Sequence, residues 1–296
     1  MTPSLIVEFA KWSGAGNDFI ALDNRFYALS GDEAARLAAQ LCDRRTGIGA
    51  DGLLLLSVDG DPFDVQAADP RMVIYNADGS RATMCGNGAR CMARIAAESG
   101  FGTIDDAATK LTLQTDAGPV QARVDGAHVT LDLPDARDLR AVHIGEHEVF
   151  YAWTGTEHAV VWTDDVDAVD VDALGRRLRH ADVWGDRGAN VTFAEVVQPG
   201  RIRVRTFEKG VEAETLACGT GAAAVGLAAA SVGAVHVEGG RSNVEVQPRG
   251  GTLSVGFDWT GGAVLPASVS GVTLGGPAQR LFRGTFALGK AGFVVE

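Results

Sequence analysis

The chain has only four cysteines among 296 residues, and none of them forms a C-x-x-C pair. That spacing matches no zinc pattern, and so low a count is unlike a secreted scaffold held by disulfides. No cluster of Lys and Arg stands out, and the formal net charge is −12. An acidic chain without a basic patch has little to offer a nucleic-acid backbone or an anionic membrane surface, so the expected partner is a small molecule. The N-terminal MTPSLIVEFAKW lacks a basic segment, and its apolar run from Leu5 to Val7 is too short for a signal peptide, which makes the cytoplasm the expected compartment. Long uncharged runs are also scarce. One of them, Leu216 to Val235, is twenty residues with eight Ala and four Gly and no basic flank. It reads as a helix apolar on every side and buried inside a domain, as a sheet wrapped around a central helix would need, rather than as a membrane span.

What the chain does have is apolar material, 46% of its residues, ample for the core of one large domain or two ordinary ones. It also has one stretch twice: CGNGAR at Cys85 to Arg90 and CGTGAA at Cys218 to Ala223. Each follows an apolar or β-branched run, Met72 to Tyr75 or Ile202 to Phe207, and a polar segment with Gly and acid. Each precedes an Ala-rich run that reads as helix and ends near Gly100 or Gly233. The two cysteines are 133 positions apart, close to half of the chain, which is the pattern of a duplicated domain.

The chemistry follows from those positions. A thiol at a helix N-terminus meets unpaired backbone N–H groups and the positive end of the helix dipole, which favour its thiolate and let it act as a base. The glycines after it let a substrate approach the backbone, where the same N–H groups suit a carboxylate. Two such ends on one carbon would remove a proton from one face and return it to the other, inverting a stereocentre.

Along the chain, Leu5 to Phe9 reads as a strand leading into the polar turn SGAGNDF, and Ile20 to Asp23 resumes it. Ser30 and Glu33 form a candidate capping box for a helix to about Arg44, with Leu37 and Leu41 inward. A Gly-rich turn at Thr46 to Gly52 feeds a strand from Leu53 to Val58. After Gly100 the alternation at Leu111 to Gln114, Val120 to Val124 and Val129 to Leu133 predicts antiparallel strands, and Pro134 to Asp138 is the candidate linker. The second half repeats the order. Strands are expected near Val149 to Trp153, Val160 to Trp162 and Val191 to Val197, with a helix from Val171 to His180 capped by Asp170. More are expected at Val244 to Gln247, Leu253 to Phe257 and Val264 to Val269, and a last hairpin ends at Val295. The order favours α+β over a doubly wound sheet.

Ordinary explanations compete for several residues. Cys42 and Cys91 read as small buried hydrophobes. Gly219 to Ala224 fits the loose dinucleotide pattern G-x-G-x-x-A, with Glu238 about twenty residues on. The polar segment GVEAET separates it from its strand, though, and nucleotide binding leaves the second cysteine motif unexplained. His158, Glu208, Asn17 and Asn76 could each be an ordinary polar, surface or turn residue taken alone.

Together, SGAGNDF at 13 to 19, IGADGLLLL at 48 to 56, YNADGSRATMCGNGARC at 75 to 91, the His of TGTEH at 158, the Asn of GANVTF at 190 and FEKGVEAETLACGTGA at 207 to 222 resemble diaminopimelate epimerase, nearly end to end. The resemblance implies a cofactor-independent epimerase interconverting LL- and meso-2,6-diaminopimelate for lysine and peptidoglycan precursors. It implies two pseudo-symmetric domains, each a mixed, barrel-like sheet around a central helix, with the site in the cleft between them, and a homodimer. The expected domains are 1–132 with 275–296, and 133–274. Cys85 and Cys218 match the acid/base pair, and His158 and Glu208 match residues that adjust those thiols. Asn17, Asn76, Gly86, Asn87, Asn190, Glu208, Lys209, Gly219 and Thr220 match substrate-binding positions. The sequence departs from the family at Gly52, where many members have Gln, and at Thr156-Glu157-His158, where many have Asn-Pro-His. It departs again at Lys209, where many have Arg. The proline racemase and hydroxyproline epimerase group shares the paired cysteines, whereas phenazine-biosynthesis isomerases share the fold without them.

Overall fold

The computed structural model describes residues 5–66, 68–260, 268–289 and 292–294. These form two compact units, one of residues up to 131 together with those from 277 onward, the other of residues 132–276. In the first unit the order is β1 (Leu5–Gly14), β2 (Asn17–Asp23), a short α1 (Asn24–Tyr27), α2 (Gly31–Leu41), β3 (Gly52–Val58), β4 (Pro70–Asn76), β5 (Arg81–Ala82) and α3 (Gly86–Glu98). Then come β6 (Thr103–Asp105), β7 (Ala108–Thr115), β8 (Gly118–Asp125) and β9 (His128–Asp132). The second unit runs β10 (Arg137–Ile144), β11 (His147–Trp153), β12 (Glu157–Trp162), α4 (Val171–Arg179), β13 (Asn190–Gln198), β14 (Arg201–Glu208) and β15 (Ala213–Thr215). It continues through α5 (Gly219–Ser231), β16 (Arg241–Gln247), β17 (Leu253–Thr260) and β18 (Ser268–Pro277). The chain then returns to the first unit as β19 (Gln279–Gly289) and β20 (Gly292–Val294).

Strand pairing reveals the duplication more clearly than length does. From β19 the first unit reads antiparallel to β1 and to β2, parallel to β3, antiparallel to β4, parallel to β7, then antiparallel to β8 and β9. From β10 the second unit reads β11, β12, β13, β14, β16, β17 and β18 with the same alternation of senses. In each unit the mixed sheet curls around one helix, so the fold is α+β. Helix α3 packs against β1, β2, β3, β4, β7 and β8, and α5 against β11, β12, β13, β14, β16 and β17.

The run Leu53 to Leu56 shows why the sheet needs a second helix outside. Side chains alternate across a strand. Leu54 and Leu56 join Trp12, Met92 and Phe101 in the core around α3, while Leu53 and Leu55 join Leu37 and Leu41 beneath α2. A strand buried on both faces loses polar alternation and reads as a continuous apolar run. Helix α2 starts where the sequence places it: Ser30 Oγ accepts from the Glu33 N–H at 3.4 Å, and Glu33 Oε2 accepts from the Ser30 N–H at 2.9 Å. Helix α5 is buried at every position from Gly221 to Ser231, as its lack of charge predicts. Among the described residues no helix is long and apolar enough to cross a membrane.

One expectation needs correction, and a second is met where the described residues reach it. The segment proposed as linker, Pro134 to Asp138, runs into β10, which the sequence reading did not include. Its alternation is not apolar because β10 is held on β11 by stacked cations, with Arg137 Cζ 3.7 Å from the Trp153 ring centroid and Arg140 Cζ 3.9 Å from that of Tyr151. The strand expected at Val264 to Val269 is found as β18 from Ser268. Residues 264–267 of that expectation, like residue 295 of the terminal hairpin, lie outside the described residues.

The packing of α4 gives a test. A Cβ added at Gly175 would lie 2.5 Å from the Cβ of Phe207, the one side-chain carbon of Phe207 that cannot swing away. Alanine at a helical glycine gains up to about 1 kcal/mol of propensity, whereas overpacking costs about 1–3 kcal/mol. Gly175→Ala should therefore lower the urea midpoint despite the better helix former. A raised midpoint would show that this contact yields.

Candidate active site

Each central helix begins immediately after a cysteine. Cys85 is the N-cap of α3 with φ −146° and ψ 117°, and Cys218 is the N-cap of α5 with φ −120° and ψ 111°. Both have extended backbone, so each side chain belongs to the turn while the N–H groups that follow belong to the helix's unbonded first turn. Small residues make that placement possible. A Cβ at Gly88 would stand 3.2 Å from Leu54 and 3.3 Å from Ile74, and one at Gly219 would stand 2.6 Å from Leu274. The other two cysteines differ: Cys42 and Cys91 are buried, and desolvation pushes both thiols up to about 12. They are structural, as the sequence suggests.

In the first unit, Asn17 and Asn87 come together: Asn87 Nδ2 donates to Asn17 Oδ1, and Asn17 Nδ2 donates to Asp51 Oδ2 at 3.0 Å. Arg90, absent from the sequence-based candidates, is fully buried behind this pair and donates from Nη2 to Asn87 Oδ1 at 2.7 Å. Its Nε and Nη1 have no hydrogen-bond partner among the described residues, and burial lowers its affinity for a proton. Asp51 leads on to an ion network in which Arg44 bridges Asp51 and Asp18, and Lys11 joins Asp18. Burial would raise the Asp18 carboxyl, but hydrogen bonds from Arg44 and Lys11 hold it at about 2. Asn76 stands exposed at the end of β4 and closes a turn through Nδ2, which donates to Ser80 Oγ at 2.9 Å. The departure at Gly52 has a steric cause: a Cβ there would lie 2.6 Å from the backbone oxygen of Tyr75 on the paired strand β4. No side chain fits without moving a strand.

The second unit gathers His158, Asn190, Glu208, Lys209, Cys218 and Thr220. His158 on β12 pairs in parallel register with Asn190 on β13 and is completely buried. Its Nε2 lies 2.9 Å from Thr220 Oγ1, and that hydroxyl is 3.6 Å from Cys218 Sγ. Thr154, which sequence reasoning missed, fixes the same residue by donating to the Thr220 carbonyl at 2.8 Å. Desolvation, reinforced by the charge of Lys209, pushes His158 down to about 3. The imidazole is therefore neutral near pH 7, and its Nδ1 is buried with no hydrogen-bond partner among the described residues. Burial pushes the Glu208 carboxyl up from its usual range.

Asn190 and Lys209 both carry internal bonds. Asn190 Nδ2 donates to the Glu157 carbonyl at 3.0 Å, and its Oδ1 accepts from the Lys209 N–H at 2.8 Å, so it braces two backbone segments. Lys209 Nζ is bonded to Glu157 Oε2 at 2.6 Å. Glu157 was readable as the odd residue of TGTEH, but nothing in the sequence paired it with Lys209. With a thiol and carboxylate-binding N–H groups at each helix start, and a neutral imidazole linked by a hydroxyl to one thiol, the parts suit proton transfer at a carbon beside a carboxylate.

The sequence pattern of diaminopimelate epimerase matches residues 9–136 and 150–264. The chain belongs to the diaminopimelate epimerase family. It is 35% identical to the diaminopimelate epimerase of Flavobacterium psychrophilum over 281 residues, covering 93% of this chain and 98% of that one. It is 37% identical to that of a Synechococcus species, covering 97% and 100%. Like other members of the diaminopimelate epimerase family, the chain is an amino-acid racemase/epimerase and thus an isomerase. Among solved structures, a Bacillus anthracis phenazine biosynthesis protein superposes with a TM-score of 0.69 at 14% identity, covering 95% of this chain and 99% of that one. A hydroxyproline epimerase from Agrobacterium vitis, with bound trans-4-hydroxy-L-proline, gives 0.63 at 18%, covering 98% and 95%. These two show a shared fold.

The buried imidazole makes stability depend on pH. His158 titrates at about 3 in the fold and near the ordinary 6.5 when unfolded, so below 6.5 the unfolded chain takes up a proton that the fold refuses, and stability falls with pH. Asp18 and Glu157, both held at about 2, lose their contributions only as pH drops through the usual carboxylate range. The raised carboxyl of Glu208 works in the opposite direction but does so with or without the imidazole. Between pH 6.5 and 4.5, the urea midpoint of His158→Gln should decline less than that of the parent. Equal slopes would mean that His158 is protonated in the fold.

Proposed function

We propose that this chain interconverts LL- and meso-2,6-diaminopimelate by moving a proton between two cysteines, without a cofactor. The observation that carries the reading is the equivalence of Cys85 and Cys218, each the N-cap of the central helix of its unit. One thiolate takes the α-proton, the electron pair left behind delocalises into the α-carboxylate, and the second thiol returns a proton to the opposite face. The carbon changes hand, and the two sulfurs exchange protonation states. In the direction usually drawn for the family, Cys85 donates and Cys218 accepts, and the roles reverse with the stereochemistry of the substrate.

The remaining residues take roles consistent with their surroundings. The N–H groups around Gly86 and Asn87 and around Gly219 and Thr220 receive the α-carboxylate, where charge develops. His158 is kept neutral beside Thr220 and can exchange a proton without adding charge near the Cys218 thiolate. Glu208, made less acidic by burial, tunes the same thiol. Asn17 and Asn76 contact the substrate in the first unit, and Lys209 faces its far end. The product would feed lysine and peptidoglycan precursor synthesis.

A screen of α-hydrogen exchange in D2O distinguishes substrates. Exchange is expected with LL-diaminopimelate and not with proline or hydroxyproline, whereas exchange confined to the cyclic amino acids would move the chain to the proline racemase type of reaction. Replacing either Cys85 or Cys218 with Ala should cut epimerisation by at least about a thousandfold, within the usual range for a lost acid or base. Near-normal turnover by either variant would sink the two-base scheme.

A further inference from the structure

The two copies of the cysteine motif differ where a difference is costly. Arg90, five residues after Cys85, corresponds to Ala223, five residues after Cys218, and both are fully buried. One copy buries a methyl group there, the other a guanidinium. Arg90 donates from Nη2 to Asn87 Oδ1 at 2.7 Å, while its Nε and Nη1 find no acceptor and it joins no salt bridge among the described residues. A cation taken out of water needs a compensating charge close by. The strands packed on α3 turn apolar side chains toward it, among them Trp12, Leu54, Met72 and Leu113. Their charged groups are engaged elsewhere: Lys11 with Asp18 and Arg44, Asp23 with Arg25, Arg71 with Asp59, Lys110 with Asp105. Glu8 and Asp125 are exposed, Arg123 alternates with the core residues Ala122 and Val124, and Tyr75 belongs to the core beneath α2. On α3 itself Arg94 pairs with Glu98, and before Cys85 Asp78 is bonded to Ser80 and Arg81 to Asp116.

Hydrogen bonds do lead from Arg90 to one carboxylate, that of Asp51, but through the two amides of Asn87 and Asn17, and Asp51 is already bridged by Arg44. The Cys91 thiol, pushed up to about 12 by burial, stays neutral. Cys85 remains, and a negative charge on it favours the protonated guanidinium. We propose that Arg90 is the buried counter-cation of the Cys85 thiolate and makes Cys85 the more acidic of the two catalytic thiols. The inference rests on the two-cysteine reading and makes Arg90 a positioning residue, set behind Asn87. The same cation orders the amides: each donor points away from it, Asn87 toward Asn17 and Asn17 toward Asp51. Around Cys218 the attendant groups are neutral or paired, with His158 uncharged, Glu208 made less acidic by burial and Lys209 bonded to Glu157. Of the two sulfurs, the one in the first unit therefore holds the negative charge between turnovers.

The test is the pH dependence of iodoacetamide alkylation of the reduced full chain without substrate, with Cys85 and Cys218 read separately by peptide mass. Both are partly exposed, whereas Cys42 and Cys91 are buried and serve as internal controls. In the parent the alkylation midpoint of Cys85 should lie below that of Cys218. Arg90→Gln, which keeps an N–H donor for Asn87 but no charge, should raise the Cys85 midpoint by about one pH unit or more and leave Cys218 where it was. At pH 7 that reads as roughly tenfold slower alkylation of Cys85. Arg90→Lys, which keeps the charge, should restore most of the difference. A parent whose Cys218 is alkylated at the lower pH overturns the inference without any variant. Equal shifts in Arg90→Gln and Arg90→Lys overturn it too, because they would mean that Arg90 acts through its shape and not its charge. The readout needs no substrate, so it is independent of the D2O exchange screen that tests the proposed function.

Discussion

A helix that is buried on every side has one place where it can meet a ligand, its end. In each unit the curled sheet packs around the central helix, α5 buried from Gly221 to Ser231 and α3 partly open only toward Arg94 to Glu98, with the cysteine at the N-terminal turn. The requirement runs through the rest of the structure. It explains the Ala and Gly content of α5, since a sheet closing around a helix has room only for short side chains; a Cβ at Gly226 would already be 3.0 Å from Val255. It explains the outer helices α2 and α4, which cover the other face of the same strands. It also places a cysteine where backbone N–H groups face outward from an apolar interior, so that a negative sulfur is met by dipoles fixed in advance.

The duplicated scaffold is used unequally. Gly52 pairs with Phe19 on one side and Asn76 on the other. At the corresponding place in the second unit Asn190 pairs with His158, and the Val191–Phe207 pair beside it brings Glu208 level with Asn190. An apolar ring, a bare glycine and one amide in the first unit thus become an imidazole, an amide and a carboxyl in the second. The titratable groups that attend a thiol are concentrated around Cys218, while Cys85 has the buried guanidinium of Arg90 in its helix and a ladder of amides beside it. The framework permits the surroundings of the two cysteines to diverge without altering strand pairing.

Much of this was legible from residues because it rests on local rules. The capping box at Ser30, the Asp170 cap of α4 and the apolar runs of β3 and β13 depend on neighbours in sequence, and each element falls within a few residues of where the pattern puts it. The twin cysteine motifs carried the family because their glycines and cysteines are constrained together. The missed features depend on side-chain and backbone partners that hydrophobic periodicity does not record. Strand β10 owes its place to cations stacked on Trp153 and Tyr151, the lack of a side chain at position 52 to the carbonyl of Tyr75, and the pairing of Lys209 to a glutamate more than fifty positions earlier. Asn190 matches a substrate-binding position by its motif, and its amide also joins the start of β12 to the residue after β14. A motif records that a residue matters and leaves open which neighbour it serves.

The route of the chain has a consequence for how the molecule is made. The second unit is continuous in sequence, but the sheet of the first is completed by β19, whose register runs from Leu5 with Leu288 to Ser13 with Gln279. During synthesis β1 emerges before the second unit and its partner β19 after it, so its outer edge lacks that neighbour until the whole second unit has been made. The entropy of joining such distant segments grows only with the logarithm of their separation, so the finished pairing is little weakened. The delay is kinetic. The half that begins first is the half that closes last, and until then it carries an open strand edge of the kind that invites mispairing.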